Sequence, residues 1–169
     1  MAPKWKHRRK PKVHWPDLRT SPESWSLAEV RGVAINPIVT GIGQHPRTIS
    51  DEDWVLSCER DIQETGLDQF LTDLLHILRL TIPHCLGEPA AVSEEDVPLP
   101  DVAYPSDGDE WNEKMIGNPV YAGIPPFPAM VDDKTWIAAG VKMVENVGLR
   151  QYLVDVLYQL KQSVQAVAP

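Results

Sequence analysis

The sequence predicts a mainly α-helical protein. We expect two copies of a loop followed by a helical hairpin, packed as a pseudo-twofold four-helix body with long Pro-rich connections. Three observations support this. Residues 36–79 align without gaps to residues 118–161, and fourteen of the 44 pairs are identical. Both copies space apolar residues along helical stripes. The 16 prolines are about twice the usual share and disfavour a sheet-rich body.

The first hairpin is predicted from its capping residues and apolar spacing. Ser50 is a suitable helix cap, so a helix should cover residues 51–65. Gly66 should end it in the left-handed conformation, and a second helix should cover residues 67–80, ended by Pro83. The second helix has a strongly apolar face, formed by Leu67, Phe70, Leu71, Leu74, Leu75 and Leu78.

The residues before this hairpin are less regular. Residues 24–31 suit a short helical turn, and the β-branched residues within 32–39 suit a short extended segment. Asn36 should pin the entry of the following loop, with Pro37 fixing the chain direction, and Asn118 and Pro119 repeat this pair.

The second copy repeats the plan, with Asp132 as the cap, a helix over 133–146, Gly148 as the break and a last helix over 149–164. Each buried leucine contributes roughly 1.5–3 kcal/mol. The two apolar faces should therefore pack against each other, and a single copy should not fold alone.

The chain divides into four segments. Residues 1–23 form a basic, extended arm, residues 24–82 the first repeat, and residues 118–169 the second. Residues 83–117 form an acidic, Pro-rich connector, which is either a strap packed across the body or a flexible linker.

The charge is unevenly distributed. The net charge is −8, yet residues 1–12 hold six cations and no acid, which leaves −14 for the remainder. Such an arm is typical of phosphate binding, with an aromatic ring stacking on a base. A solubilising tail, or an arm lying on the acidic body, would explain the pattern as well. The predicted contact residues are Lys4, Trp5, Lys6, Arg8, Arg9, Lys10 and Lys12.

Two polar pairs are identical in both copies. Gln69 and Asp73 lie four residues apart on one helix face, as do Gln151 and Asp155. We expect a Gln–Asp hydrogen bond that supports each helix, and the alternative is a duplicated docking site for a protein partner. Phe127, at the tip of the second loop, is either a partner contact or part of a lid over the core.

Catalytic signatures are not evident. His84 and Cys85 are adjacent, but a catalytic dyad joins side chains from separate parts of the fold. The five histidines and two cysteines have no zinc-ligand spacing, and no nucleotide-binding motif is present. We therefore expect no catalytic residues, metal or cofactor. An enzyme with a carboxylate or Cys/His site assembled only in the fold is the alternative.

The functional hypothesis is a non-catalytic adaptor or assembly subunit whose arm contacts RNA, DNA or an acidic protein surface. The alternative is a sequence-independent nucleic-acid-binding protein, with the arm making nearly all contacts because the acidic body would repel DNA. No apolar run approaches the roughly 18 residues of a membrane span. With only two cysteines, a cytoplasmic location is expected.

Overall fold

The computed structural model describes residues 25–86 and 117–168, and these residues form five α-helices and no strand. The mainly helical fold class is therefore confirmed. Short 3₁₀ helices, Pro37–Thr40 and Pro119–Tyr121, lie before the two long helix pairs. The α-helices are α1 (Leu27–Ala34), α2 (Asp51–Thr65), α3 (Leu67–Cys85), α4 (Asp133–Val147) and α5 (Leu149–Val167).

The long helices begin at the predicted caps. Ser50 Oγ accepts the backbone N–H of Asp53 at 3.0 Å, and Asp132 Oδ1 accepts that of Thr135 at 2.7 Å. Each bond satisfies one of the N–H groups that the first turn leaves unpaired. α1 begins at a capping box that the sequence analysis did not identify, in which Ser26 and Glu29 each accept the other's backbone N–H.

Gly66 and Gly148 break the two hairpins at the predicted positions. Their φ angles are both +88°, but their ψ angles are 155° and 152°. The expected left-handed helical conformation is therefore wrong in ψ. The next helix begins at the following residue, so the backbone must reverse direction at one residue, in a region open essentially only to glycine.

Several predicted boundaries need correction. α3 continues through Pro83 to Cys85, five residues beyond the predicted helix end at residue 80. Pro83 lies in the last turn, where its missing N–H interrupts little, and its carbonyl accepts the N–H of Leu86. α4 and α5 end at Val147 and Val167, one and three residues later than expected.

The extended segment predicted over residues 32–39 is also wrong. α1 runs to Ala34, and a 3₁₀ helix follows at Pro37. Asn36 caps that helix as expected, because its Oδ1 accepts the N–H of Ile38 at 3.2 Å. Asn118 does the same for Val120.

The four long helices enclose one apolar core. α2 packs on α3 and α5, and α4 packs on α3 and α5. Both predicted apolar faces are buried in this core, except that Leu67 and Leu149 are only partly covered. Its largest fully buried side chains include Trp54, Trp136, Tyr152 and Phe70.

Three cations connect the hairpins, and one of them, Arg150 on α5, donates to the carboxylate of Glu59 on α2 at 3.2 and 2.9 Å. Arg79 on α3 donates to the carbonyl of Gly123 at 3.1 Å and to Asp133 Oδ2 at 2.9 Å. Lys161 on α5 donates to the carbonyl of Thr40 at 3.3 Å and to Asp51 Oδ1 at 2.7 Å. Each hairpin thus holds the loop and first helical turn of the other.

Candidate functional site

A groove of about 730 Å³ opens between α1, α2 and α3. We call it the α1 groove. Its volume lies within the range of ligand-binding clefts. One wall is apolar and includes Leu27, Ala28, Ile35 and Ile77. The polar lining includes Arg31, Asp61, Thr65, Gln69, Asp73 and His76.

Asp61 is the most buried acid of this groove, with 7% of its surface exposed. Thr65 Oγ1 donates to its carboxylate at 3.3 Å, and Arg31 Nε lies 3.7 Å away. Burial nevertheless raises the pKa of Asp61, and the nearby carboxylates of Asp73 and Glu64 raise it further. The cation beside Asp61 is thus insufficient to offset its burial.

Arg31 also explains how α1 is attached. Its guanidinium pairs with Glu64 as well as with Asp61, so one side chain of α1 holds two carboxylates of α2. The α1 groove therefore contains a cation, Arg31, paired with a buried carboxylate, Asp61, whose pKa is raised by burial.

The expected Gln–Asp hydrogen bonds are present in both copies. Gln69 Nε2 donates to Asp73 Oδ1 at 2.8 Å, and Gln151 Nε2 donates to Asp155 Oδ1 at the same distance. Gln69 and Asp73 line the α1 groove, whereas Gln151 lies exposed on α5. These hydrogen bonds support each helix, as expected. The role of the four residues in partner docking stays a prediction.

Four aligned positions of the second hairpin are apolar. At the aligned positions of copy two, Met143, Val147, Val154 and Tyr158 replace Asp61, Thr65, Thr72 and His76 in that order. Val154 is 45% exposed and Tyr158 is 64% exposed. They lie four residues apart on α5, and helical spacing places them beside Gln151 and Asp155. We call Gln151, Val154, Asp155 and Tyr158 the α5 patch.

A smaller cleft of about 370 Å³ adjoins the α5 patch. Its apolar lining consists of Val55, Val154, Leu157 and Tyr158. Asp51 and Glu52 of α2 lie on the other side, next to Lys161. The α5 patch thus continues across the contact between α2 and α5.

Phe127 is 5% exposed and belongs to the core. It packs as expected for a lid over the core. Its side chain offers almost no surface to a partner, because the turn that carries it folds inward. In that turn, the Phe127 N–H donates to the carbonyl of Ile124 at 2.8 Å.

The cysteines have the character of core residues. Burial raises the pKa of Cys58 and raises that of Cys85 to about 11, so both thiols are protonated at neutral pH. His84 is exposed while Cys85 is buried. Within residues 25–86 and 117–168, no group of three or more His, Cys, Asp or Glu side chains is placed to hold a metal ion.

The basic arm lies outside the described residues. This applies to Lys4, Lys6, Arg8, Arg9, Lys10 and Lys12, and to Trp5. Residues 87–116 of the predicted connector also lie outside them. Among the described helices, none is long and apolar enough to cross a membrane.

Arg31, Asp61 and His76 were not predicted as site residues from the sequence. A signal for Asp61 was available: it is a carboxylate next to the apolar stripe of its helix, two turns after Trp54, and copy two has Met143 there. Comparison with protein-family models, curated proteins and solved structures finds no match to this chain.

Proposed function

We propose that this protein is a non-catalytic adaptor or assembly subunit of a larger macromolecular complex. The α5 patch is the observation that carries this proposal. Tyr158 and Val154 expose large apolar surface on a helix whose other large apolar residues are buried or partly buried. Tyrosine is enriched among the residues that dominate binding energy at protein interfaces. Gln151 and Asp155 add a polar rim to the patch.

We also propose that the two hairpins are duplicated units related by a pseudo-twofold axis. α2 and α4 are equal in length, and so are α3 and α5. Arg79 and Lys161 occupy aligned positions of the two copies and make reciprocal contacts, with the aligned residues Asp133 and Asp51 as their partners. Such a body would present two diverged faces, the polar α1 groove and the apolar α5 patch.

The basic arm would supply a second contact, to nucleic acid or to an acidic partner surface. Its six cations suit either partner, because charge attraction carries little sequence information. A cytoplasmic location fits this role. Cys58 and Cys85 are both free thiols, as expected for a protein kept in a reducing compartment.

The adaptor role is tested by exchanging residues between the two copies. Val154→Thr with Tyr158→His gives the α5 patch the residues that copy one has at Thr72 and His76. We expect the tagged wild-type protein to co-purify with a partner at fixed stoichiometry from its native cell extract. The variant should lose that partner and keep its helical circular dichroism.

The matched control is the opposite exchange, Thr72→Val with His76→Tyr, which should leave the partner bound. The complex should then re-form from purified components. Either the absence of a stoichiometric partner or full retention by the α5 variant would contradict the proposal.

The arm is tested by fluorescence anisotropy with labelled DNA and RNA. We expect the full-length protein to bind single strands with a log–log salt slope of up to about −4 if all six cations contact phosphate. Changing the six arm cations to glutamine should abolish binding. Changing Arg60, Lys134 and Lys142, which are exposed on the helical body, should not. The absence of binding at low salt would leave an acidic protein as the partner of the arm.

A further inference from the structure

The α1 groove and the basic arm are adjacent in the chain. α1 forms one wall of the groove, and the arm continues directly from its N-terminal side. Residues 13–26 separate the cationic segment from Leu27, and a flexible chain of that length has a root-mean-square span of about 20 Å. The arm is therefore tethered within reach of the groove.

We propose that residues 1–12 bind in the α1 groove of the same molecule. The occupant is this chain's own arm, because charge, tether length and the composition of the groove all favour it. This inference rests on the proposed function, in which the same cations bind nucleic acid or an acidic surface, and adds an intramolecular state that competes with that binding.

The charge of the groove complements that of the arm. Asp61, Asp73 and Asp133 line it beside Arg31 and Arg79, and Glu64 pairs with Arg31, so these groups together carry a net charge of −2. A Lys or Arg side chain entering the groove would stabilise the charge of Asp61, whose burial Arg31 alone does not offset.

The apolar wall suits the aromatic residue of the arm. Leu27 lines the groove with 68% of its surface exposed, and Val30 on the same helix is 46% exposed. Trp5 lies among the cations and could cover part of this wall, with Lys and Arg reaching the carboxylates beyond it.

The second hairpin indicates that these polar residues are not needed for folding. Met143 and Val147 occupy the positions of Asp61 and Thr65 in a helix of equal length. An apolar side chain is thus compatible with the hairpin at both positions. The carboxylate of copy one therefore serves contacts that copy two lacks: its pair with Arg31 and, in this proposal, a cation of the arm.

Because the arm is tethered to the helical body, even weak binding is sufficient for it to occupy the groove. An intramolecular ligand on a short flexible linker has an effective concentration of about millimolar. The arm would occupy the groove until a polyanion with higher affinity for the same cations displaces it. The groove thus sets the affinity that a polyanion must exceed before it can bind the arm.

The test uses paramagnetic relaxation in the full-length protein. His7→Cys places a nitroxide label within the arm, since both native thiols are buried. We expect strong attenuation of the backbone amide signals of residues 61–76 and little attenuation at residues 143–158. The attenuation should disappear in 1 M salt, where the Debye length is about 3 Å.

Asp73→Lys and Asp155→Lys form a matched pair. Both remove a Gln–Asp hydrogen bond of 2.8 Å, but only Asp73 lines the groove. We expect Asp73→Lys to release the arm and Asp155→Lys to leave it bound.

Three outcomes would overturn the inference. Attenuation spread over the whole surface would show that the arm has no fixed site, and attenuation that survives Asp73→Lys would place the site elsewhere. Attenuation seen when spin-labelled and isotope-labelled molecules are mixed would assign the groove to the arm of a second copy. None of these results would alter nucleic-acid binding measured by anisotropy, so failure of this inference is distinguishable from failure of the proposed function.

Discussion

Tyr152 and Gly140 share a limited space where α4 packs on α5. The hydroxyl of Tyr152 is buried, and no hydrogen-bond partner for it exists among the described residues. A Cβ atom added to Gly140 would lie 2.6 Å from that hydroxyl. The equivalent positions of the first copy hold Cys58 and Phe70. The larger side chain on one helix is thus matched by a smaller one on its neighbour.

This compensation predicts a coupled pair of substitutions. Gly140→Ala alone should lower the free energy of unfolding by about 1–3 kcal/mol, because the methyl group overpacks the core. Tyr152→Phe alone should be neutral or stabilising, because it removes a buried hydroxyl without a partner. The double variant should recover most of the loss. Urea unfolding measures all four proteins, and simple additivity would contradict the shared-space explanation.

Asp61 makes stability depend on pH. Its pKa is raised in the folded state, so its contribution to stability is fully present below its ordinary pKa of 3.8 and is lost as the pH rises through the folded-state value. Wild type should therefore lose stability relative to Asp61→Asn between about pH 4 and neutrality. Urea titrations across that interval measure the difference. Asp68→Asn, at an exposed position of α3, is the control, and a difference that runs the other way would contradict the prediction.

At the scale of elements, α3 and α5 are more than apolar surfaces. Each carries one cation near its C-terminal half that reaches the opposite hairpin. Arg79 contacts two backbone carbonyls, those of Ala122 and Gly123, and forms a bidentate pair with Asp133. Lys161 contacts only one carbonyl and one carboxylate oxygen. The planar guanidinium accounts for the larger number of bonds.

This difference in the number of contacts predicts that the loss of either side chain lowers the free energy of unfolding by a different amount. Arg79→Met should lower the free energy of unfolding by about 2 kcal/mol, since it leaves partly buried carbonyls without a donor. Lys161→Met should cost at most about 1 kcal/mol, because it removes only one carbonyl contact and one contact to a half-exposed carboxylate. Thermal and urea unfolding of the two variants measure this difference. Equal losses of stability would mean that the additional contacts of Arg79 contribute nothing.

At the scale of the whole molecule, the core belongs to both hairpins. α2 contacts α5 and α3 contacts α4, so the apolar faces of one hairpin are covered by the other. Trp54 and Trp136 are fully buried in the same core. Separation of the hairpins would expose surface whose burial offsets the loss of conformational entropy.

We therefore predict that neither hairpin folds alone. Fragments covering residues 24–86 and 118–169 should each show little helical circular dichroism and no cooperative melting. An equimolar mixture should regain helix, because the contacts between the fragments are restored. Cooperative melting of one fragment alone would contradict this prediction and would assign stability to the single hairpin.

The sequence by itself determined the hairpins. The caps at Ser50 and Asp132, the breaks at Gly66 and Gly148, and the buried leucine faces all follow from neighbouring residues, and the structure confirms them. The Gln69–Asp73 and Gln151–Asp155 bonds were predictable for the same reason. These features depend on contacts within one or two helical turns, and a linear pattern records such contacts directly.

Only the tertiary structure decided the α1 groove. α1 is a short helix, and its position depends on Arg31 reaching Asp61 and Glu64, which belong to a different helix far along the chain. The sequence shows that residue 61 is an acid, but its burial arises only because α1 packs against α2. The reach of Arg79 to Gly123 and the inward turn of Phe127 likewise depend on residues distant in sequence. Desolvation and long-range contacts arise when separate elements pack together, and local periodicity carries no record of them.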